Sequence, residues 1–560
     1  MKKSRQGSEN ELVFLPLGGV GEIGMNLGLY GYGPARDRTW LAVDFGVAFA
    51  GPELPGVDLV FPDISYLEEE RINLAGIVIT HAHEDHFGAL IDLWPRLRVP
   101  VYATAFTAGL LAAKLASEPG REVVPVTVVK PRVPFTAGPF NIEYINVAHS
   151  IPESNALAIR TPLGTVLHTG DWKIDPTPVL GDPTDGARLS EIGDEGVLAL
   201  VGDSTNALRD GASPSESDVA IELAAIIAEA KGRVAFTTFA SNVGRIRSVA
   251  EAALKAGRDV VVVGRAMRRT LDVAAELGYL EGLPAFLDED TYGYLPRDRV
   301  VLLLTGSQGE ARAALARVAE DDHRNIELTR GDTVVFSSRA IPGNEKPINT
   351  IINALVTRGV RVITDHDRLV HVSGHPRRGE LRQMYEWVRP RIVVPVHGEA
   401  MHLAAHADFA RKSGVPVVAG VRNGQMLRLA PDPVGKVDEI ESGRLYKDGH
   451  LIGDFDRLGI AERRRLSFSG HVAVSVLLDE RGNLVGDPDV EFVGLPHVSE
   501  DGRPMEEGIL GAILGTIDSL PKPRRRDPDL VREAVRRSVR AAVNDAWGKK
   551  PVCTVFVSVV

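Results

Sequence analysis

Three histidines and two carboxylates are concentrated in one short stretch of the sequence, His81-Ala82-His83-Glu84-Asp85-His86. The apolar, β-branched run Leu74–Thr80 before it predicts a buried strand, and Phe87–Leu93 after it predicts the start of a helix. Neighbouring side chains can converge on one point in such a strand-to-helix turn. Imidazole and carboxylate groups suit Zn²⁺ or Mn²⁺ better than Ca²⁺ or Mg²⁺. A solvated polar turn is the alternative, but so dense a set favours a metal site.

This motif resembles the signature of the metallo-β-lactamase superfamily. The resemblance implies that His81 and His83 bind one metal ion and that Asp85 and His86 bind a second. Asp44 ends a predicted strand and matches the first motif of the superfamily. Two roles remain open for Asp44, which are support of the metal ligands and binding of a separate structural cation.

Two more candidate ligands follow predicted strands later in the chain. The strand predicted over Phe140–Val147 leads to His149, and the strand predicted within Gly164–Asp171 ends in an acid. Either residue alone favours a structural role, whereas the ordered set favours a metal site. From their match to later motifs of the superfamily, we assign His149 to the first ion and Asp171 to the bridge between both ions.

The last ligand lies far along the chain. Asp203 ends the predicted strand Val197–Asp203, but no histidine follows within a few tens of residues. The best candidate is His397, which follows the buried run Ile392–Val396 and lies 226 positions after Asp171. About 150 residues suffice for a domain. A second domain is therefore predicted to be inserted before the metal site is complete.

The inserted segment alternates helices and strands, which predicts a doubly wound parallel sheet. Ligands bind at the carboxyl ends of the strands in such sheets. Serine, asparagine, glycine and arginine residues follow four of these strands, and such groups hold phosphate oxygens without reading bases. Ordinary turn chemistry is the alternative for each residue singly, but four such turns favour a groove for a phosphodiester backbone. The predicted substrate-binding residues are Ser241, Asn242, Val243, Ser337, Ser338, His371, Val372, Ser373, Gly374 and His375.

Taken together, these motifs resemble the β-CASP branch of the superfamily, a group of nucleases, and within it the ribonuclease J family. Asp203 matches the motif A acid of the branch, His375 its motif B histidine and His397 its motif C histidine. The segments Gly306–Glu310 and Ile341–Glu345 are similar to ribonuclease J rather than to other members.

The resemblance implies a metallo-β-lactamase αββα sandwich, an inserted β-CASP doubly wound domain and a small α+β C-terminal domain. The predicted boundaries are 1–208 and 369–435 for the two parts of the metallo-β-lactamase domain, 209–368 for the β-CASP domain, 436–462 for a linker and 463–560 for the C-terminal domain. The arginine runs 463–465 and 524–526 have two open interpretations, RNA contact and solvated surface charge.

The resemblance also implies a metal-dependent ribonuclease with two Zn²⁺ per subunit, Mn²⁺ being the alternative ion. The implied metal ligands are His81, His83 and His149 for one ion, Asp85, His86 and His397 for the other, and Asp171 for both. His375, oriented by Asp203, would protonate the leaving 3′ oxygen. The expected substrate is single-stranded RNA with a 5′ monophosphate. It would be degraded 5′ to 3′ and also cut internally, in ribosomal RNA maturation and messenger RNA decay, by a homodimer or homotetramer.

Composition limits the alternatives. The chain of 560 residues is 44% hydrophobic and 25% charged, which is typical of a globular protein of about three domains. A net charge of −11 argues against non-specific coating of nucleic acid, but not against a nuclease with a local basic channel. The single cysteine, Cys553, excludes internal disulfides and thiolate metal cages and fits a reducing compartment. With neither a secretory signal nor a membrane-spanning run in the sequence, we expect a cytoplasmic protein without a membrane partner.

Three rival functions remain. A β-CASP nuclease that acts on DNA is one of them, since the choice of RNA over DNA depends on sensing the 2′-OH, which these motifs do not reveal. A small-molecule metallo-hydrolase shares the metal motif but not the gap of 226 positions between Asp171 and His397. A metal-free binding subunit is disfavoured because all seven ligand positions are filled.

Overall fold

A computed structural model describes residues 9–341 and 343–560. The chain divides into two compact units. One consists of residues 61–443 and the segment that precedes residue 49, and the other of residues 444–560 and the segment 49–60. The association of segment 49–60 with the C-terminal unit links parts of the chain that are far apart in sequence. The domain boundaries given above remain predictions.

Two mixed β-sheets form the centre of the first unit. The eight strands of one sheet are, in spatial order, Gly435–Glu439, Gln425–Ala430, Asn10–Gly18, Leu27–Pro34, Thr39–Val43, Leu74–Val78, Val101–Ala103 and Val126–Val128. The seven strands of the other are Phe135–Ala137, Phe140–Asn146, Asn155–Thr161, Gly164–His168, Ala199–Asp203, Ile392–Val396 and Val417–Val418. In each sheet, antiparallel pairing at one side changes to parallel pairing at the other.

The two sheets share one hydrophobic core. Phe14 and Tyr30 from one sheet belong to the same buried cluster as Tyr144 and Val394 from the other. Helices cover the outer faces, as the ring contact between Trp40 and Tyr66 illustrates on one side. The helices of this unit outside the insert are Ser65–Glu69, Glu84–Phe87, Leu90–Leu97, Ala105–Ala116, Gly186–Glu195, Arg378–Val388 and Ala400–Lys412. These layers agree with the expected αββα sandwich.

The inserted segment forms a separate parallel sheet. Its strands are, in spatial order, Asp259–Val263, Val300–Leu304, Val234–Thr237, Thr333–Phe336 and Arg361–Ile363. Apolar side chains on the two faces of the sheet belong to two different buried clusters, so both faces are covered. Its helices are Glu216–Glu229, Val243–Lys255, Arg265–Glu276, Ala314–Ala319 and Glu345–Thr357. The predicted doubly wound sheet is therefore confirmed.

The second unit contains a three-stranded sheet with two long helices. Its central strand, His471–Leu478, pairs antiparallel with Asp489–Val493 and parallel with Val552–Val559. Helices Met505–Ser519 and Pro528–Trp547 contribute to the same buried cluster as this sheet. The α+β class predicted for this region is confirmed.

The segment predicted as a linker carries regular structure. Strands Arg444–Asp448 and Leu451–Gly453 form a hairpin, and helix Ile460–Ser469 follows. The remaining elements are strands Val20–Gly21, Ala48–Phe49, Leu59–Pro62 and Gly398–Glu399, helix Lys522–Arg525, and the 3₁₀ turns Arg71–Asn73, Glu289–Tyr294 and Arg297–Arg299. Among the described residues, no helix combines the length and the apolar character that crossing a bilayer requires.

Candidate dinuclear metal centre and interdomain cleft

The strand-to-helix turn predicted around His81 forms. Strand Leu74–Val78 ends three residues before His81, and the short helix Glu84–Phe87 carries Asp85 and His86. Apolar packing of the strand and the helix buries His81 and His86 almost completely. The motif therefore presents its side chains from a rigid corner of the first sheet.

The first predicted ligand set comes together in space. The nearest ligand atoms of His81, His83, His149 and Asp171 all lie within 4.8 Å of one another. His83 Nδ1 is 3.1 Å from His81 Nε2 and 3.1 Å from His149 Nε2. His149 and Asp171 each follow a strand of the second sheet by three residues, so this set joins both sheets.

The second predicted set shares Asp171 with the first. Ligand atoms of Asp85, His86, Asp171 and His397 lie within the same limit of 4.8 Å. His86 Nε2 is 3.2 Å from Asp171 Oδ2, and His397 Nε2 is 3.3 Å from Asp85 Oδ2. The structure thus brings together all seven residues predicted as metal ligands, in two groups with one common carboxylate.

Neighbouring groups fix the orientation of three of the rings. Asp44 Oδ2 accepts a hydrogen bond from His86 Nδ1 at 2.6 Å, and the carbonyl of Gly374 accepts one from His149 Nδ1 at 2.7 Å. His397 Nδ1 lies 2.8 Å from the hydroxyl of Thr205. In each case the other ring nitrogen faces the cluster. Such outer partners hold a metal-binding imidazole in one tautomer.

Burial and charge give the histidines different protonation states. Burial lowers the pKa of His81 and His149 well below the ordinary value and lowers the pKa of His83 to about 4, which keeps these rings neutral. Burial also opposes the charged forms of His86 and His397, but nearby carboxylates, Asp171 foremost, outweigh it and raise both pKa values. Neutral imidazole is the form that binds a metal ion.

The surroundings of Asp171 fit a bound cation. Its Oδ1 is buried and has no hydrogen-bond partner among the described residues. A buried carboxylate oxygen without a partner is costly, because it loses its hydration without compensation. Five imidazoles and two carboxylates form a donor set that suits Zn²⁺, and a cation would also balance the carboxylate charge. The residues present therefore fit a pair of metal ions.

Asp203 and His375 form a pair beside this cluster. His375 Nδ1 lies 2.8 Å from Asp203 Oδ2, and Asp203 is the last residue of its strand. Burial opposes the charged form of His375, but the carboxylates of Asp203 and Asp171 outweigh it and raise the pKa of His375. His375 is 20% exposed, whereas Asp203 is buried, so the histidine is the member that can face a substrate.

Asp203 and His375 also have the geometry of metal ligands. Their ligand atoms and those of Asp171 and His397 lie within 4.8 Å of one another. The two roles predict different results when Asp203 is replaced. A catalytic pair would lose activity and keep its metal, whereas a ligand pair would lose bound metal.

The residues predicted to contact substrate differ in the burial and the hydrogen bonding of their side chains. Ser373 and Gly374 are attached to the cluster through hydrogen bonds to Asn206 and His149. The side-chain amide of Asn242 caps helix Val243–Lys255 by accepting the Arg245 N–H. The side chains of Val243, Ser337, Ser338 and Val372 are buried, so only their backbone could contact a substrate. His371 is half-buried, and its Nδ1 has no partner within the described part of the chain.

A cleft of about 470 Å³ adjoins the cluster. The sandwich contributes His149, Ser150 and Lys173 to its lining, and the inserted domain contributes Asn242 and Tyr279. The Tyr279 hydroxyl donates a hydrogen bond of 2.6 Å to Glu153 of the sandwich. The cleft is therefore a shared surface of the two domains, next to the metal ligands.

Several contributors to the site could not be read from the sequence. Asn26 Nδ2 lies 3.1 Å from His86 Nε2 and donates to the carbonyl of Asp85 at 3.1 Å. His397 and Asp44 have φ angles of 52° and 63°, a left-handed conformation that is costly outside glycine. The sequence contains one related feature, the glycine-rich run Gly18–Gly24 that precedes Asn26. The carbonyl of Gly19 in that run accepts the His397 N–H at 2.8 Å.

Comparisons with known proteins agree with this arrangement. Four family models match, which are the beta-lactamase superfamily domain over residues 41–189, the ribonuclease J beta-CASP domain over 231–355, the Zn-dependent metallo-hydrolase RNA specificity domain over 359–419 and the ribonuclease J C-terminal domain over 458–560. Fold and site thus define a metallo-hydrolase of the metallo-β-lactamase superfamily with an inserted β-CASP domain.

Full-length relatives identify the family within this superfamily. A ribonuclease J of Sinorhizobium meliloti is 60% identical over 562 residues, which is all of both chains. A ribonuclease J of Corynebacterium glutamicum is 38% identical over 97% of this chain and 75% of that protein. The chain belongs to the ribonuclease J family and is a metal-dependent hydrolytic ribonuclease, as the sequence motifs predicted.

A solved structure supports the fold alone. A protein of unknown function from Enterococcus faecalis V583 matches 75% of this chain and all of its own length, with a TM-score of 0.53 and 16% identity.

Proposed function

We propose that the chain degrades single-stranded RNA from a 5′ monophosphate in the 5′ to 3′ direction and also cuts RNA internally. The observation that carries this proposal is the pair of ligand groups that share Asp171 beside a cleft lined by both domains. An open cleft next to the site can admit a polymer strand. The names of the relatives and of the RNA specificity domain support RNA as the substrate.

We assign two Zn²⁺ ions to the site, with Mn²⁺ as the alternative. One ion would be held by His81, His83 and His149, the other by Asp85, His86 and His397, with Asp171 between them. When bound, two ions of this kind supply a nucleophile at neutral pH and neutralise charge that develops on the scissile phosphate. Asp44 would support this site through His86, because its carboxylate is hydrogen-bonded to that ring.

His375 would act as the general acid. Asp203 accepts a hydrogen bond from His375 Nδ1. Nε2 is therefore the ring atom that remains to deliver a proton to the leaving 3′ oxygen. Ser373 and Gly374 precede His375 in the same turn, and their contacts with Asn206 and His149 hold that turn against the cluster. Nucleotides next to the cut would contact this turn, His371 and the turn Ser241–Val243.

One digestion series tests the proposal. RNA oligomers with a 5′ monophosphate or a 5′ hydroxyl, and a DNA oligomer of the same sequence, are incubated with the wild type, with and without a chelator. We expect mononucleotide release from the monophosphorylated RNA, slower release from the hydroxyl form and none from DNA. Chelation should abolish all cleavage, since the proposed nucleophile depends on the bound ions.

Two variants complete the series. His81→Ala removes a buried member of the first ligand group and should abolish cleavage. His323→Ala is the matched control, because this partly buried histidine hydrogen-bonds the backbone of Asn325 in the inserted domain and should retain activity. Cleavage by His81→Ala at the wild-type rate, or equal cleavage of RNA and DNA, would refute the proposal.

The cellular setting is also proposed rather than observed. We infer a homodimer or homotetramer in the cytoplasm that acts in ribosomal RNA maturation and messenger RNA decay. Light scattering of the purified protein measures the oligomeric state, and the 5′ ends of ribosomal RNA in a depletion strain measure ribosomal RNA maturation.

A further inference from the structure

Arg245 is a buried arginine at the centre of the inserted domain. Its side chain is 0% exposed. Nε and Nη2 donate to Glu216 Oε2 at 3.2 and 2.7 Å, while Nη1 donates to Ser337 Oγ at 2.6 Å and to the carbonyl of Val370 at 2.9 Å. A buried guanidinium is tolerated only when its donors are paired in this way. The surroundings are therefore built for the planar fork of an arginine.

The partners of Arg245 come from three distant parts of the chain. Glu216 begins the first helix of the insert, and Ser337 follows strand Thr333–Phe336. Val370 directly precedes His371, in the segment that returns toward His375. One side chain thus ties the beginning of the insert, one of its strand-end turns and its end to one another.

A second set of contacts joins this group to the metal-binding domain. Glu216 N donates to Asp175 Oδ2 at 2.9 Å, and Lys173 Nζ donates to the same carboxylate at 2.8 Å. Lys173 N donates in turn to the carbonyl of Ala148 at 2.8 Å. Lys173 lies two residues after Asp171, and Ala148 directly precedes His149. The contacts therefore extend from Arg245 to two of the segments that carry predicted metal ligands.

The charges of this group balance. Two cations, Lys173 and Arg245, face two anions, Asp175 and Glu216, and all four side chains are buried. Lys173, Asp175 and Glu216 also line the cleft that adjoins His149. A charge-balanced group of this kind adds no net charge next to the cluster.

We propose that Arg245 is a positioning residue that holds the predicted substrate-contacting turns of the inserted domain in register with the metal-binding domain. The inference rests on the proposed RNA cleavage and assigns Arg245 no contact with RNA. Lysine cannot replace it, since an ammonium group lacks the fork that reaches Glu216, Ser337 and Val370 together. Loss of the fork should loosen RNA binding and leave the metal ligands in place.

The test separates RNA binding from metal binding and from folding. RNA affinity is measured by filter binding in the His81→Ala background, where cleavage is absent, with a 5′-monophosphorylated oligomer. Metal content and thermal unfolding are measured for Arg245→Lys in the otherwise native chain. Arg38→Lys is the matched control, because Arg38 is 8% exposed and bonds Glu11 at 2.6 Å in the first sheet.

We expect Arg245→Lys to raise the Kd for RNA about tenfold or more, while metal content stays at the wild-type level. Arg38→Lys should leave the Kd within about twofold of its background. Should Arg245→Lys fail to fold, Glu216→Gln keeps an acceptor for both guanidinium N–H groups and should raise the Kd by about threefold.

Two outcomes would overturn the inference. One is an unchanged Kd in both Arg245→Lys and Glu216→Gln. The other is a parallel loss of RNA binding and metal content, which would make Arg245 a general structural residue. Failure of the proposed function would appear separately, as absence of RNA cleavage by the wild-type protein.

Discussion

Asp203→Asn would exchange one buried carboxylate oxygen for an amide group beside His375. In the native chain Asp203 Oδ2 lies 2.8 Å from His375 Nδ1, and Oδ1 accepts the Thr205 N–H at 2.8 Å. An asparagine that keeps the Thr205 contact turns its NH₂ group toward Nδ1. The histidine ring would then carry its proton at Nε2 as a neutral imidazole, which is a far weaker acid than the imidazolium.

The size of the effect follows from the role of the lost charge. A positioned general acid contributes about 10²–10⁴-fold to a rate. We therefore expect kcat on RNA to fall about 10³-fold, which corresponds to about 4 kcal/mol of activation free energy. The metal ligands keep their positions, so metal content should not change.

A change of leaving group makes this prediction specific. A 3′-bridging sulfur at the scissile linkage leaves as a thiolate and needs no proton, so Asp203→Asn should lose less than about tenfold on that substrate. Asp332→Asn is the matched control, because Asp332 is equally buried and accepts a bond of 2.9 Å from Arg297 within the inserted domain. Equal losses on both substrates would refute the acid role of His375. Loss of bound metal would instead make Asp203 a ligand.

Two further substitutions test the support of the site and of the fold. Asp44→Asn should weaken metal affinity about 10–100-fold, because Asp44 holds His86 through a hydrogen bond of 2.6 Å. Competition with a chelator measures this affinity, and an unchanged value would contradict the prediction. Glu143→Gln should lower the free energy of unfolding by about 2 kcal/mol at pH 7, because Glu143 accepts charged bonds from Arg160 and Arg188. Burial raises the pKa of Glu143, but the two guanidinium groups outweigh it and lower that pKa. The stabilisation is therefore complete above the ordinary glutamate pKa, begins to fall below it, and is lost as the pH falls through the lowered pKa of the folded state. Urea unfolding at pH 7 and across the acid range measures the difference, and one that stays constant throughout would argue for a packing effect instead.

Much of the site could be predicted because its residues follow local rules. His81 and His86 lie in one turn whose flanking strand and helix are visible in the apolar pattern. Asp171 and His397 follow apolar strands that run parallel in the second sheet, so both lie at the same edge of that sheet. Their approach to His81, on the first sheet, was expected from their match to the superfamily motifs. The gap of 226 positions between Asp171 and His397 predicted the inserted domain, because it is longer than a sandwich needs to connect two of its strands.

Other features depend on contacts that no local pattern encodes. Asn26 contacts His86, 60 positions away in sequence. His397 has a left-handed backbone, and its N–H donates to the carbonyl of the distant Gly19. Arg245 follows a strand end, where an arginine suggests phosphate binding, but the structure buries it among protein acceptors. The segment 49–60 joins the C-terminal unit, although nothing in its composition distinguishes it from a surface loop. In each case the deciding interaction joins residues far apart in sequence.

The attachment points of the insert connect its position to the chemistry. Strands Ala199–Asp203 and Ile392–Val396 are parallel neighbours, with Asp203 opposite Val396, although the whole insert lies between them in sequence. The chain leaves the sandwich at Asp203 and returns through His375, and these two residues are hydrogen-bonded at 2.8 Å. A shift of the inserted domain against the sandwich would therefore act on that bond. In the proposed mechanism, this couples the position of the insert to the protonation of the leaving group. His81, His83, Asp85 and His86 follow a strand of the first sheet instead, so metal content should stay at the wild-type level when Arg245 is replaced.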